Sequence, residues 1–269
     1  ILIHMAAQPL VRESYRVPVD TFAANVLGTV NVLEAARHAG TIKAIVNITT
    51  DKCYENKEWP WSYRENDRLG GHDPYSASKA CAEIAASSYR NSFLADANIQ
   101  LASVRAGNVI GGGDWAKDRL IPDFLRALDA GKTLVIRSPD AIRPWQHVLE
   151  PVSGYLLLAQ KLFEKGSSFA EAWNFGPSDN DAKSVGWIVE KLCKQIPSAT
   201  YEIKPDANKP EAGLLKLDSS KAQSRLGWTP RWHLEAALEK TIEWHLAWRS
   251  KEDLSALTTR QIKDYLGPL

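Results

Sequence analysis

The sequence predicts an α/β fold, a parallel sheet covered by helices, with a smaller mixed lobe after it. Three observations predict it. Short apolar, β-branched runs alternate with helical patterns through the first hundred residues. Polar or glycine-containing segments follow those runs at positions 4–8, 49–52 and 106–113. Parallel sheets bind ligands beyond the carboxyl ends of their strands, which puts all three segments on one edge.

The elements follow in order. Residues 1–5 read as a short buried strand. From Pro18 a helix carries Phe22, Val26, Val30, Leu33 and Ala36 at helical spacing and ends near Gly40. Residues 43–50 are β-branched and apolar, a buried parallel strand. Residues 53–73 form a long polar loop of the kind that carries function. Asp73 is a helix cap and Pro74 the first helical residue of a helix running to about residue 93. Residues 100–106 give the next strand and lead into a loop ending Gly111-Gly112-Gly113. Beyond it come a helix over 119–130, a strand over 133–136, a helix over 150–163 and a strand over 173–175. Helices over 185–194, 219–226 and 234–248 complete the reading. The expected division is 1–110, with 144–176 returning to it, and 111–269 as mainly a substrate-binding lobe.

Composition narrows the partners. A chain of 269 residues with 44% hydrophobic and 24% charged residues is ordinary for a soluble globular protein. A net charge of +1 gives no reason to expect nucleic acid or a membrane surface as partner. No apolar run nears the ~18 residues that span a bilayer. Three cysteines without paired spacing fit a reducing cytoplasm. The six histidines include no pair at ligand spacing, so no metal is expected.

Of eight tyrosines only Tyr75 has a lysine four residues on, Lys79, at a helix start. That spacing sets both on one helix face, where an ammonium favours the phenolate and lets a tyrosine act as a base. Thr50-Asp51-Lys52 adds an acid and an amine at the end of a strand, enough to eliminate water after an oxidation. Cys53 beside them reads as a half-buried thiol. The three glycines, with Asn108 and Arg119 around them, suit a sugar phosphate. Arg143 in Arg143-Pro144-Trp145-Gln146-His147 suits a diphosphate, or an ion pair between lobes; His147 reads as structural by default.

Together these residues resemble the extended short-chain dehydrogenase/reductases, within them the nucleotide-sugar 4,6-dehydratases. The likeness rests on the segments at His4–Pro9, Asn25 with Gly28-Thr29, Thr50–Tyr54, Tyr75–Lys79, Arg105–Trp115, Arg143–His147 and Trp173–Pro177. Many relatives carry Asp-Glu where this chain has Asp51-Lys52, and the lysine points to the branch acting on CDP-D-glucose. The resemblance implies a Rossmann-like, doubly wound sheet, NAD as cofactor and a homodimer packed through the Tyr75 helix and its neighbour. Tyr75 would take the proton of the 4-hydroxyl, with Lys79 lowering its pKa, while hydride passes to NAD. Thr50 would bind that oxygen, Lys52 would remove the proton on carbon 5 and Asp51 would release water from carbon 6. Ala6, Ala7, Gln8, Asn25 and Arg105 are implied around the cofactor, together with Tyr75 and Lys79. Asn108, Arg119, Leu120, Arg143, His147 and Asn174 are implied around the substrate. Dideoxysugar synthesis for a bacterial surface lipopolysaccharide is the implied setting.

One motif of that family is absent. None of the 16 glycines forms the phosphate-binding turn of a dinucleotide fold, and the chain opens on a strand without Met. The expectation is that three strand–helix units, about 90 residues, precede it, and that without them NAD binds weakly. Two other readings stay open: an NAD-dependent nucleotide-sugar 4-epimerase, which needs no extra acid and base, and a non-catalytic binding module.

Overall fold

The computed structural model describes residues 1–204 and 213–267. In chain order the elements begin with strand β1 (Leu2–His4), helices α1 (Val11–Arg16), α2 (Pro18–Phe22) and α3 (Gly28–His38), and strand β2 (Ala44–Ile48). Helix α4 (Pro74–Tyr89) and strands β3 (Gln100–Ala106) and β4 (Asn108–Ile110) follow. Next come α5 (Leu120–Asp129), β5 (Leu134–Ile136), β6 (Ile142–His147), α6 (Leu149–Lys165) and β7 (Ala172–Phe175). The last are β8 (Ala182–Ser184), α7 (Val185–Gln195), β9 (Tyr201–Ile203), α8 (Leu234–Arg249) and α9 (Leu254–Leu266). Contacts divide the chain into two compact units, one of Ile1–Gly107, Val152–Phe175 and Leu217–Thr229, the other of Asn108–Pro151, Gly176–Lys216 and Pro230–Leu269.

The first unit is a four-stranded sheet in the order β1-β2-β3-β7, parallel throughout. The inner strands β2 and β3 are buried on both faces, as a covered parallel sheet requires, whereas β1, expected as a buried strand, has Leu2 and Ile3 half-buried and lies between exposed Ile1 and Met5. Leu33 and Ala36 of α3 and Ala86 of α4 pack on Ile45 and Leu101. α4 begins as the sequence predicts: the Asp73 carboxylate accepts the Ser76 amide at 3.0 Å, with Pro74 in the first turn.

The helix predicted from Pro18 forms and stays helical to His38, but it is not α-helical throughout. After Phe22 the backbone opens into a π turn, Ala23–Leu27, before α3 resumes. The wider turn carries Asn25, whose polar side chain is buried. The predicted apolar stripe accordingly divides. Leu33 and Ala36 are buried, while Phe22 is exposed and Val26 and Val30 are half-buried. The polar helix α1 has no apolar period and was not expected.

The second unit holds β4-β6-β8, with β4 parallel and β8 antiparallel to β6, and a separate parallel pair β5-β9. Phe124 of α5, Ile188 and Leu192 of α7 and Leu238 of α8 form its core with Trp145. β6 is the Arg-Pro-Trp-Gln-His segment, and five of its six residues are buried. Residues 108–110, expected as loop, pair with it as β4. The helix expected over 219–226 forms over residues 220–226, its last five residues, Ala222–Leu226, wound as a π turn that Gly227 closes at φ +71°. At the start of α6 the enclosed Glu150 carboxylate accepts the amides of Arg231 and Trp232 and the Tyr265 hydroxyl. That one group therefore holds the approach to α8 and the end of α9.

Candidate active site

The carboxyl end of β2 makes the first half of the site. Thr49 extends the ladder by donating its amide to Val104 O, after which the chain turns tightly through Asp51–Cys53. Thr50 caps that turn: its hydroxyl donates to Asp51 Oδ1 at 3.1 Å and accepts the Lys52 amide at 3.4 Å. Asp51 is enclosed, whereas Lys52 is half-buried. An acid held inside and an amine reaching outward thus leave the same strand end.

The first turns of α4 make the second half. Tyr75 and Lys79 are both buried, and Lys79 Nζ donates to Ile48 O at 3.1 Å, tying helix to strand just before Thr49. Burial draws the Lys79 pKa down to about 8, against the pull of the Glu83 carboxylate. Tyr155 of α6 completes the enclosure. Burial pushes its phenol up, and the charges of Tyr75 and Asp51 push it further. The first unit thus brings Thr50, Asp51, Tyr75 and Lys79 into one locality.

The loop after β1 is fixed rather than free. Asn25 Oδ1 accepts the Gln8 amide at 2.8 Å, and Asn25 Nδ2 donates to Gln8 O and to Ser78 Oγ. Gln8 Nε2 reaches Thr21 Oγ1 at 2.8 Å. Asn25 therefore sets the path of Ala6, Ala7 and Gln8 with a side chain already in use. Ala6 is exposed and Ala7 half-buried at the strand end.

Two expected ligand contacts lie deeper. Arg105 pairs with both Glu83 oxygens and donates to the Tyr54 hydroxyl and to Glu65 O. Asn174 accepts from the Tyr54 hydroxyl and donates to Tyr63 O and Asp218 O. Both are buried, and a direct contact with a ligand would break this network.

In the second unit, Asn108 stands opposite Trp145 in the β4–β6 register, and Arg143 and His147 lie two residues either side of Trp145. Arg143 is buried, and its Nη1 donates to Ile142 O. Arg119 stands at the start of α5 just before the half-buried Leu120, and its side chain pairs with Asp114 at 3.1 Å. His147 is neutral: burial and Lys240 hold it down at about 4, and its Nδ1 accepts the Leu149 amide. The glycines have a packing reason. A Cβ on Gly112 would sit 2.1 Å from Trp244 Cγ, one on Gly111 would meet Val148 at 2.8 Å, and Gly113 has φ +78°. Among the described residues no three His, Cys, Asp or Glu gather as a metal site.

Sequence reasoning passed over Glu83, Tyr155 and Thr49. Glu83 carried a readable signal, a carboxylate one turn beyond Lys79 on the same helix face. Tyr155 carried none, because an aromatic residue in an amphipathic helix reads as core.

Residues 1–241 match the family model for GDP-mannose 4,6 dehydratase. The chain is 55% identical to the CDP-glucose 4,6-dehydratase of Salmonella typhimurium over 99% of its own length and 76% of that protein's. Among solved structures it resembles MoeE5 in complex with UDP-glucose and NAD, with 27% identity and a TM-score of 0.77 over 93% of this chain and 79% of that one. The fold alone is shared with the dTDP-glucose 4,6-dehydratase DesIV of Streptomyces venezuelae, at 23% identity and a TM-score of 0.76, covering 93% and 74%. With a family model matched over residues 1–241 and a relative 55% identical over nearly the whole chain, the chain belongs to the GDP-mannose 4,6 dehydratase family.

Proposed function

We propose that this chain is a CDP-D-glucose 4,6-dehydratase, forming CDP-4-dehydro-6-deoxy-D-glucose and water with NAD as cofactor. The observation that carries the reading is the Thr50-Asp51-Lys52 turn, set in the same unit as Tyr75 and Lys79. An oxidation alone needs only the tyrosine and lysine, whereas loss of water needs one more acid and one more base. The 55% likeness to the Salmonella enzyme supports cytidine as the base.

The residues fit a dinucleotide. Ala6 and Ala7 let a ligand approach the end of β1 closely, on a path fixed by Asn25. Lys79 has one acceptor, Ile48 O, among the described residues, so two of its three N–H groups can serve the hydroxyls of a ribose. NAD, when bound, would supply the hydride acceptor for carbon 4 of the sugar and the hydride donor for carbon 6. Tyr75 takes the proton of the 4-hydroxyl, and Thr50 donates a hydrogen bond to the same oxygen. Oxidation acidifies carbon 5, whose proton goes to Lys52 and returns from it to carbon 5 when carbon 6 is reduced. Asp51, enclosed at the strand end, gives its proton to the departing 6-hydroxyl. Arg119 and Arg143 answer the diphosphate, with Asn108 and Leu120 beside them.

The protein works as a homodimer in the cytoplasm, in the synthesis of deoxysugars for a surface polysaccharide. Exposed Val19, Leu27 and Ile84 on α2, the π turn and α4 support self-association. No helix among the described residues is long and apolar enough to cross a membrane.

The test is incubation of the protein, expressed from its full reading frame, with NAD and CDP-D-glucose. Appearance of a product with the alkaline ultraviolet absorbance of a 4-keto sugar is expected. Accumulation of CDP-galactose without that absorbance would make it a 4-epimerase instead.

A further inference from the structure

Beneath the first turns of α4 runs a line of buried polar groups with no part in the steps above. Glu83 follows Lys79 by one turn, and the two are 4% and 6% exposed. The Glu83 carboxylate accepts the Thr49 hydroxyl at 2.5 Å, Arg105 Nε at 3.0 Å and Arg105 Nη2 at 2.9 Å. Arg105 donates to the Tyr54 hydroxyl at 2.8 Å and lies over its ring at 4.9 Å. Thr49 immediately precedes Thr50-Asp51-Lys52, and Tyr54 follows that turn directly. Glu83 shares a face of α4 with Tyr75 and Lys79. One carboxylate thus holds one flank of the turn directly, through Thr49, and the other by way of Arg105, which donates to Tyr54.

An ion pair of this kind can serve stability alone, and burial often makes such pairs neutral in that role. Its surroundings argue for more. The charged neighbours acting on Lys79 are Glu83 on its own helix and the Cys53 thiol from the turn after β2. His4 on β1 feels the ammonium in return, and Arg105 on β3 is committed to Glu83. Cys53 is enclosed, and burial keeps its thiol protonated. Glu83 is therefore the anion on which a charged Lys79 depends.

We propose that Glu83 is a positioning residue of this site: it keeps an ammonium beside Tyr75 and, through Thr49 and Arg105, sets the Asp51–Lys52 turn against α4. The proposal rests on the roles given above to Tyr75 and Lys79.

The test reads Tyr75 directly, without turnover. Ultraviolet titration of tyrosinate is measured for the protein and for Tyr75→Phe, and the difference isolates this phenol. In Glu83→Gln the phenol is expected to ionise at least about one pH unit higher, a tenfold loss of phenolate at fixed pH. Because Glu83→Gln strands a buried guanidinium, Glu83→Gln/Arg105→Gln is titrated beside it and should move the same way. Glu83→Asp should restore part of the shift. A folded variant whose Tyr75 titrates as in the parent overturns the proposal. If Tyr75 shifts but the parent makes no 4-keto sugar, the proposal holds and the dehydratase reading falls. If the parent turns over and Tyr75 does not shift, only this inference falls.

Discussion

Burial makes the Lys79 ammonium costly, and its pKa stands at about 8 where an ordinary lysine has 10.5. The folded chain thus binds fewer protons than the unfolded one between those two values, so stability rises with pH across that window and is lowest below it. Lys79→Met should gain on the order of 1–3 kcal/mol near pH 7 and lose the rise above pH 8, as urea unfolding at several pH values would record. The same variant should be inactive, and the parent's rate should fall as pH passes about 8 and the ammonium discharges. Lys52→Ala separates the two chemical stages. Dehydration should drop by about 10²–10⁴-fold, while reduction of NAD by substrate survives, measured as absorbance in a single turnover. Equal loss of both would remove Lys52 as the base. At this scale the sequence was partly legible. The Tyr75–Lys79 spacing and the Asp51–Lys52 pair could be read because helix period and strand ends are local rules. Arg105 and Asn174 stood in recognisable segments, yet only the fold reveals that Tyr54, Glu83 and Asp218 occupy them.

Elements were legible where a single local cause builds them. The cap at Asp73, the strand over residues 100–106 and the helix ending near residue 248 follow from capping chemistry and apolar period. β6 was not, because a strand reading Arg-Pro-Trp-Gln-His is buried by its neighbours on both sides rather than by its own composition. The π turn at Ala23–Leu27 was equally hidden, since its purpose is a bond from Asn25 back to Gln8, seventeen residues away. The glycine run shows how a correct position can carry the wrong reason. Its glycines suggested room for a phosphate, and the room at Gly112 is taken by Trp244 of α8. Gly112→Ala should therefore destabilise the protein by about 1–3 kcal/mol through overpacking, seen as a lower midpoint of thermal unfolding. Pairing it with Trp244→Leu should return part of the loss.

At the scale of the whole molecule, α2, the π turn and α4 present Val19 (78% exposed), Leu27 (59%) and Ile84 (58%) on the first unit. Val19→Glu combined with Ile84→Glu should convert the proposed dimer to a monomer in sedimentation velocity while leaving the far-ultraviolet circular dichroism unchanged. An unaltered dimer would move the contact elsewhere. The fold class was legible at this scale because strand–helix alternation is periodic along the chain. The return of Leu217–Thr229 to the first unit was not, since nothing local marks a crossing. That crossing and the Glu150 anchor bear on how the protein is made. A ribosome adds about 5–20 residues per second, and Glu150 is synthesised 115 positions before the Tyr265 hydroxyl that it accepts. The first unit likewise waits for Thr229. The first unit therefore lacks part of its contacts until Thr229 is made, and the Glu150 anchor lacks its hydroxyl until Tyr265 is. Translation speed beyond Leu217, and the chaperones present then, should decide the soluble yield more than any single contact in the finished fold.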